Sequence, residues 1–259
     1  MSVLDQFRLT GHTAFVTGGS RGLGRSMAQA LAEAGANLIL VGRDTGALNE
    51  ARNELSLLGR RVEIITGDVG TPEGAGEVSI EALALGHPID ILVNNVGGRR
   101  TDVETEDVPV GEWQKLIDLN LTSALVCCQT LCKPMLARGS GSVINVTSIA
   151  GPIAMKGIRG RHYESAKAGL AALTRSLAAD WATRGVRVNA LAPGVFETEP
   201  NKRWFGLKPD FRETFLEHIP MNRFGSPAEI GPAIVFLASN ASSYMTGATL
   251  TIDGGFTTW

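Results

Sequence analysis

The chain is short of several things. Cysteine occurs only at Cys127, Cys128 and Cys132, all inside one expected helix and without the paired spacing of a zinc site or a redox C-x-x-C. They read as small buried helix residues, and no metal is expected. Neither sign of charge dominates: 24 Lys and Arg against 26 Asp and Glu leave a net charge of −2, and the basic residues are spread rather than run together. That argues against a nucleic-acid partner or a membrane-surface role. No stretch of about 18 apolar residues appears, and the opening MSVLDQFRLTGHTAFVTGG lacks a charged-then-apolar leader pattern. The expectation is a cytoplasmic protein. No linker, repeat or low-complexity tract interrupts the chain.

What is present suits a globular protein rich in tight turns: 44% hydrophobic residues, 19% charged and 31 glycines. A length of 259 residues favours one large α/β domain, 1–259, over two. Short β-branched runs alternate with longer helical patterns, the mark of βαβ units on a parallel sheet. Strands are expected at 13–17, 37–42, 62–67, 90–95, 141–148, 186–193 and 248–255. Helices are expected near 22–34, 45–58, 71–85, 112–137 in two pieces, 161–183 and 227–238. The fold class is α/β, a doubly wound sheet with helices on both faces. Residues 194–229 break the rhythm with four prolines and mixed aromatics and charges. A long segment leaving a strand's carboxyl end borders the ligand crevice of such sheets, so it is expected to be a substrate lid.

TGGSRGLG, residues 17–24, leaves the first strand and opens the first helix. Gly18, Gly22 and Gly24 allow a tight turn and close approach to a pyrophosphate, which the helix N-terminus attracts. After the second strand the sequence reads VGRD. Gly42 stands where an acid would hold a ribose 2′-hydroxyl, Arg43 follows, and Arg21 could add a second cation, so NADP(H) is expected over NAD(H). Asp44 is the counterargument, although it reads better as the cap of the next helix. Farther on, Tyr163 and Lys167 are spaced to share a helix face, with Ser148 fifteen positions earlier.

Together with NNVG at 94–97, Asn120 in WQKLIDLNL, NVTSIAG around Ser148, YESAK at 163–167 and PGVFET at 193–198, these segments resemble the short-chain dehydrogenase/reductase family over essentially the whole chain. The resemblance implies a Rossmann-type sheet ordered 3-2-1-4-5-6-7, a homotetramer, and hydride transfer between a nicotinamide cofactor and an alcohol or ketone. It implies a catalytic set of Asn120, Ser148, Tyr163 and Lys167. Tyr163 serves as acid and base, Lys167 favours its phenolate and binds the nicotinamide ribose, Ser148 holds the substrate oxygen, and Asn120 organises a relay water. Cofactor contacts are implied for Ser20, Arg21, Leu23, Asp68, Val69, Asn95, Val96, Gly97, Pro193, Gly194, Phe196 and Thr198, besides the turn glycines, Arg43, Tyr163 and Lys167. The sequence departs from the family pattern in a longer PIAMKGIRGRH segment before Tyr163, a candidate for specificity, and in NNVG for the commoner NNAG.

Arg99, Arg100, Arg159, Arg161 and His162 cluster in sequence around the expected pocket mouth. They read either as a solvated face or as an anion site for an acidic substrate. LILVGRD, DWATRGVRVNALAPGVFETEPN and IPMNRFGSPAEI resemble the gluconate 5-dehydrogenase branch, with a 3-oxoacyl-[acyl-carrier-protein] reductase as the alternative. A non-catalytic NADP(H) sensor is a third reading, disfavoured because a sensor needs none of the four catalytic side chains.

Overall fold

The computed structural model describes residues 2–98, 103–154 and 161–258. Seven parallel strands, β1 (Thr13–Thr17), β2 (Asn37–Gly42), β3 (Val62–Thr66), β4 (Ile91–Asn94), β5 (Gly141–Val146), β6 (Val186–Pro193) and β7 (Thr249–Ile252), form one sheet. Their order is β3-β2-β1-β4-β5-β6-β7, as the family resemblance implies. The register sets Phe15 beside both Ile39 and Leu92.

The strands are near-continuous apolar runs because both faces of the sheet are covered. Period-two alternation divides them between two cores. Ala14, Val16, Leu38, Leu40 and Val93 pack on α1 (Gly22–Glu33), α2 (Thr45–Ser56) and α9 (Gly231–Ala238). Phe15, Ile39, Val41 and Leu92 pack on α3 (Pro72–Ala84) and α5 (Ser123–Arg138). Each fully buried leucine or isoleucine contributes about 1.5–3 kcal/mol relative to exposure. The three cysteines lie buried in the second core, where desolvation pushes the Cys127 thiol up to about 12.

The long helical pattern at 112–137 is two helices, α4 (Val110–Ile117) and α5, joined by a π turn over Asp118–Thr122. In that turn the Ser123 N–H bonds Asp118 O, five residues back. Leu119 O accepts the Ser123 hydroxyl at 3.0 Å. Such π turns recur at functional sites, and this one carries Asn120.

Beyond β6 the segment 194–229 is not structureless. It holds α7 (Glu199–Leu207) and α8 (Pro209–Glu217). These helices build a separate aromatic core from Phe205, Phe215, Phe224 and Phe256, with Ile149 and Ile219. Phe205 stacks on Phe224 at 4.9 Å, and Trp204 meets Phe215 edge-on at 5.9 Å. The segment closes on a two-bond Arg223–Glu229 pair, both at 2.8 Å, with Ser226 N donating to Glu229 Oε2 at 2.7 Å. Those partners hold the Glu229 carboxyl down at about 2. No helix among the described residues is long and apolar enough to cross a membrane.

Candidate active site

The strand order reverses between β1 and β4, and the crevice at that reversal is where open α/β sheets bind ligands. The two strand ends are tied there. Thr17 Oγ1 accepts from Asn95 N at 2.8 Å and Val96 N at 3.0 Å, and Asn95 Nδ2 donates to Thr17 O at 2.9 Å. Gly18 and Gly22 take φ of +65° and +57°, the left-handed region that glycine enters without strain. α1 starts at Gly22, and Arg21, its N-cap, makes no side-chain cap bond. The first-turn N–H groups are thus left uncapped by Arg21 on the helix end where anions bind.

A cavity of about 540 Å³ opens over this turn. With the exception of Gly24, every residue expected to touch the cofactor lines it. Gly24 stands behind the turn: a Cβ there would come within 2.1 Å of Gly18 O and 2.6 Å of Asn95 Nδ2. The first contact is with backbone, so Gly24→Ala is expected to displace the loop and weaken binding of a dinucleotide in this cavity at least about tenfold, a cost above roughly 1.4 kcal/mol. Fluorescence titration with nicotinamide dinucleotides checks this, and unchanged affinity would refute the close packing of the turn.

At one end of the cavity Arg43 faces Asp68 at 3.7 Å, both about half exposed. Asp44 also lines the cavity, but it caps α2, accepting from Ala47 N at 3.0 Å. At the other end stand residues of α6 (His162–Trp181). Tyr163 and Lys167 share a face, with the lysine Nζ 5.8 Å from the tyrosine ring centre. Lys167 is 3% exposed and donates to Val146 O at 2.8 Å. Desolvation lowers its pKa to about 8. Ser148 Oγ accepts from Ala150 N at 3.1 Å.

Asn120 lines neither this cavity nor the one beside it. Its amide clamps Gly98, accepting from Gly98 N at 2.9 Å and donating to Gly98 O at 3.2 Å, and also donates to Leu116 O at 2.9 Å. A Cβ on Gly97 would stand 2.7 Å from Asn120 Oδ1 and 2.9 Å from Lys167 Nζ, so a larger residue there would push those two side chains aside.

A second cavity, of about 500 Å³, adjoins the first. Ser148, Tyr163, Gly194, Pro200 and Asn201 line both. Pro200, Asn201 and Trp204 were absent from the sequence expectations. Their signal was the helical spacing of Asn201, Trp204 and Phe205 just after PGVFET, which sets one face of α7 over the crevice.

The expected anion cluster divides differently. Arg99, Arg100 and Arg159 lie outside the described residues. Arg161 and His162 line neither cavity, against the expectation of a cationic mouth at these two positions. Arg161 pairs with Glu164 at 3.4 Å. His162 is 1% exposed, turned in from the start of α6 to meet Trp113 of α4 edge-on at 6.5 Å.

Strand order, glycine turn and crevice define a Rossmann-type α/β protein. A family model described as enoyl-(acyl carrier protein) reductase matches residues 18–257. Galactitol 2-dehydrogenase (L-tagatose-forming) of Cereibacter sphaeroides is 41% identical over 256 residues, 98% of each chain. Gluconate 5-dehydrogenase of Gluconobacter oxydans is 35% identical over 99% of each. The crystal structure of a 3-oxoacyl (acyl-carrier-protein) reductase from Agrobacterium tumefaciens with NADP bound superposes with a TM-score of 0.90 at 31% identity, covering 98% of this chain and 97% of that one. The chain belongs to the short-chain dehydrogenase/reductase family, and it is an oxidoreductase acting on CH–OH groups.

Proposed function

We propose that the protein is an NADP(H)-dependent enzyme interconverting a secondary alcohol and a ketone on a small hydroxy acid. The observation that carries this reading is the shared wall of the two cavities. Ser148 and Tyr163 face both at once, so one molecule in each would meet at those hydroxyls. The larger cavity, floored by the glycine turn at Gly18 and Gly22 and reaching Tyr163 and Lys167, is where NADPH would be held, and when bound it would supply the hydride.

The chain's own residues do the rest. Tyr163 hands its proton to the carbonyl oxygen during reduction and takes it back during oxidation. Ser148 holds that oxygen. The Lys167 ammonium favours negative charge on the phenol oxygen and is oriented by Val146 O. Asn120 fixes the Gly97–Gly98 backbone beside Lys167 and, by family likeness, a relay water. Segment 194–229 acts as the lid, and by family likeness the chain forms a homotetramer, with α4, α5 and α6 as the surfaces by which such chains commonly dimerise.

Arg43 and Arg21, both on the cavity wall, support NADP(H) over NAD(H). Gly42 offers no carboxylate to a ribose, and Asp44 is committed to its cap. Arg43→Ala is expected to lower the preference for NADPH over NADH by about 10–100-fold, the worth of one charge-assisted hydrogen bond. Paired titrations with the two cofactors measure it. An unchanged ratio would remove Arg43 from cofactor selection.

The named relatives support sugar acids and polyols as substrates, and the sequence positions of Arg99, Arg100 and Arg159 beside the NNVG and YESAK motifs support an acid. The reading is tested by NADPH consumption with 5-keto-D-gluconate and other keto acids, against Tyr163→Phe protein as blank. No tyrosine-dependent rate with any ketone, despite NADPH binding, would turn the reading toward a sensor.

A further inference from the structure

The walls of the second cavity narrow the substrate class. Next to the reacting groups they carry Ile149, Ala150, Val195, Pro200, Trp204, Phe205 and Phe215. Among the described residues no charged side chain lines this cavity. The polar side chains that line it among the described residues are Ser148, Tyr163, Asn201 and Trp204. Some of these are already engaged. Ser148 Oγ accepts from Ala150 N, and Asn201 Nδ2 donates to Phe196 O at 2.9 Å.

The aromatic wall is fixed in place. Trp204 is flanked by Phe205, Phe211 and Phe215 at 4.9, 5.8 and 5.9 Å. Phe205 and Phe215 are in turn packed at 5.6 Å in the buried aromatic core of the segment. These rings are therefore held as a surface rather than left to adapt to each ligand.

A polyhydroxylated chain would bring several hydroxyls into this space. Each one left without a partner there weakens binding by about tenfold. A hydrocarbon body loses nothing on desolvation and gains contact with the indole and phenyl faces.

We infer that the substrate of this enzyme carries a compact hydrocarbon body next to its reacting carbon, seated on Trp204, Phe205 and Phe215, in place of the hydroxylated chain of a sugar acid. The inference rests on the alcohol–ketone reading and departs from it in the substrate's body. It makes Trp204 a specificity-determining residue. A cyclic keto acid and a 3-oxoacyl thioester share the required chemistry, and the assay separates them.

The test compares kcat/KM, with NADPH, for 4-oxocyclohexanecarboxylate, a 3-oxooctanoyl thioester and 5-keto-D-gluconate. At least one of the two hydrocarbon ketones is expected to exceed the keto sugar acid by about 30-fold or more. Whichever leads identifies the source of the hydrocarbon body. Trp204→Ala is expected to raise KM for that ketone about tenfold or more at unchanged NADPH affinity, and Trp204→Phe to restore most of the loss. Equal or better turnover of 5-keto-D-gluconate, or a KM indifferent to Trp204, would overturn the inference.

Binding separates this outcome from failure of the alcohol–ketone reading itself. If no ketone is turned over, NADPH-loaded Tyr163→Phe protein is titrated with cyclohexanecarboxylate and with D-gluconate while indole fluorescence is followed. Quenching by the cyclic acid alone, lost in the Tyr163→Phe/Trp204→Phe double variant, sustains the hydrocarbon seat. Quenching by gluconate alone, or by neither, ends it.

Discussion

Tyr163→Phe is expected to lower kcat by roughly 10²–10⁴-fold, the usual worth of a positioned general acid or base, while leaving NADPH affinity within about twofold. The variant removes one oxygen and keeps the ring that stands between the two cavities. Tyr163 is fixed by its place on α6, one turn from a lysine whose ammonium is anchored on Val146 O. The loss should therefore fall on kcat with little change in KM, because proton transfer belongs to the transition state rather than to ground-state binding. Steady-state rates and an NADPH titration on the same preparation measure both quantities. A variant that loses cofactor affinity in proportion to activity would show that Tyr163 builds the pocket instead of moving the proton. A variant that keeps its activity would revive the sensor reading.

The parts of this molecule that were legible in the sequence are those fixed by local chemistry. A strand buried on both faces must be an apolar run, so β1, β2 and β6 carry the expected bounds. A glycine turn between a strand and a helix is dictated by φ values that other residues avoid, and Gly18 and Gly22 take them. The spacing of Tyr163 and Lys167 could only mean one helix face. Less legible was whatever depends on packing between distant segments. The pattern at 112–137 reads as helix in two pieces, but nothing local announces that they join through a π turn in which Ser123 N–H reaches back to Asp118 O. His162 illustrates the same limit: a histidine among arginines reads as part of a cationic mouth, yet its ring is buried against Trp113. Residues 194–229 read as irregular because their prolines and charges hide two short helices. Their purpose is visible only once Phe205, Phe215, Phe224 and Phe256 meet from distant positions.

Replacing Lys167 by methionine should abolish turnover and, at neutral pH, stabilise the cofactor-free protein. The side chain is 3% exposed, and desolvation lowers its pKa from the ordinary 10.5 to about 8. Below pH 8 both folded and unfolded chains carry the charge, and the fold bears its full cost, roughly 3 kcal/mol. Between pH 8 and 10.5 the folded chain sheds the proton first, the unfolded chain binds more protons, and wild-type stability rises with pH. Methionine fills similar space without charge, but Val146 O loses its donor, a loss of about 1–3 kcal/mol. The variant is thus expected to be more stable by about 1 kcal/mol at pH 7 and to lose that advantage as pH climbs toward 10, where the wild type no longer carries a buried charge and still has its hydrogen bond. Denaturant unfolding of both proteins at pH 7, 8.5 and 10, without cofactor, follows the crossing. A difference independent of pH would mean that Lys167 is not a strained buried cation. The crossing, together with a dead enzyme, would mark Lys167 as a residue whose charge the fold bears for catalysis at the expense of stability.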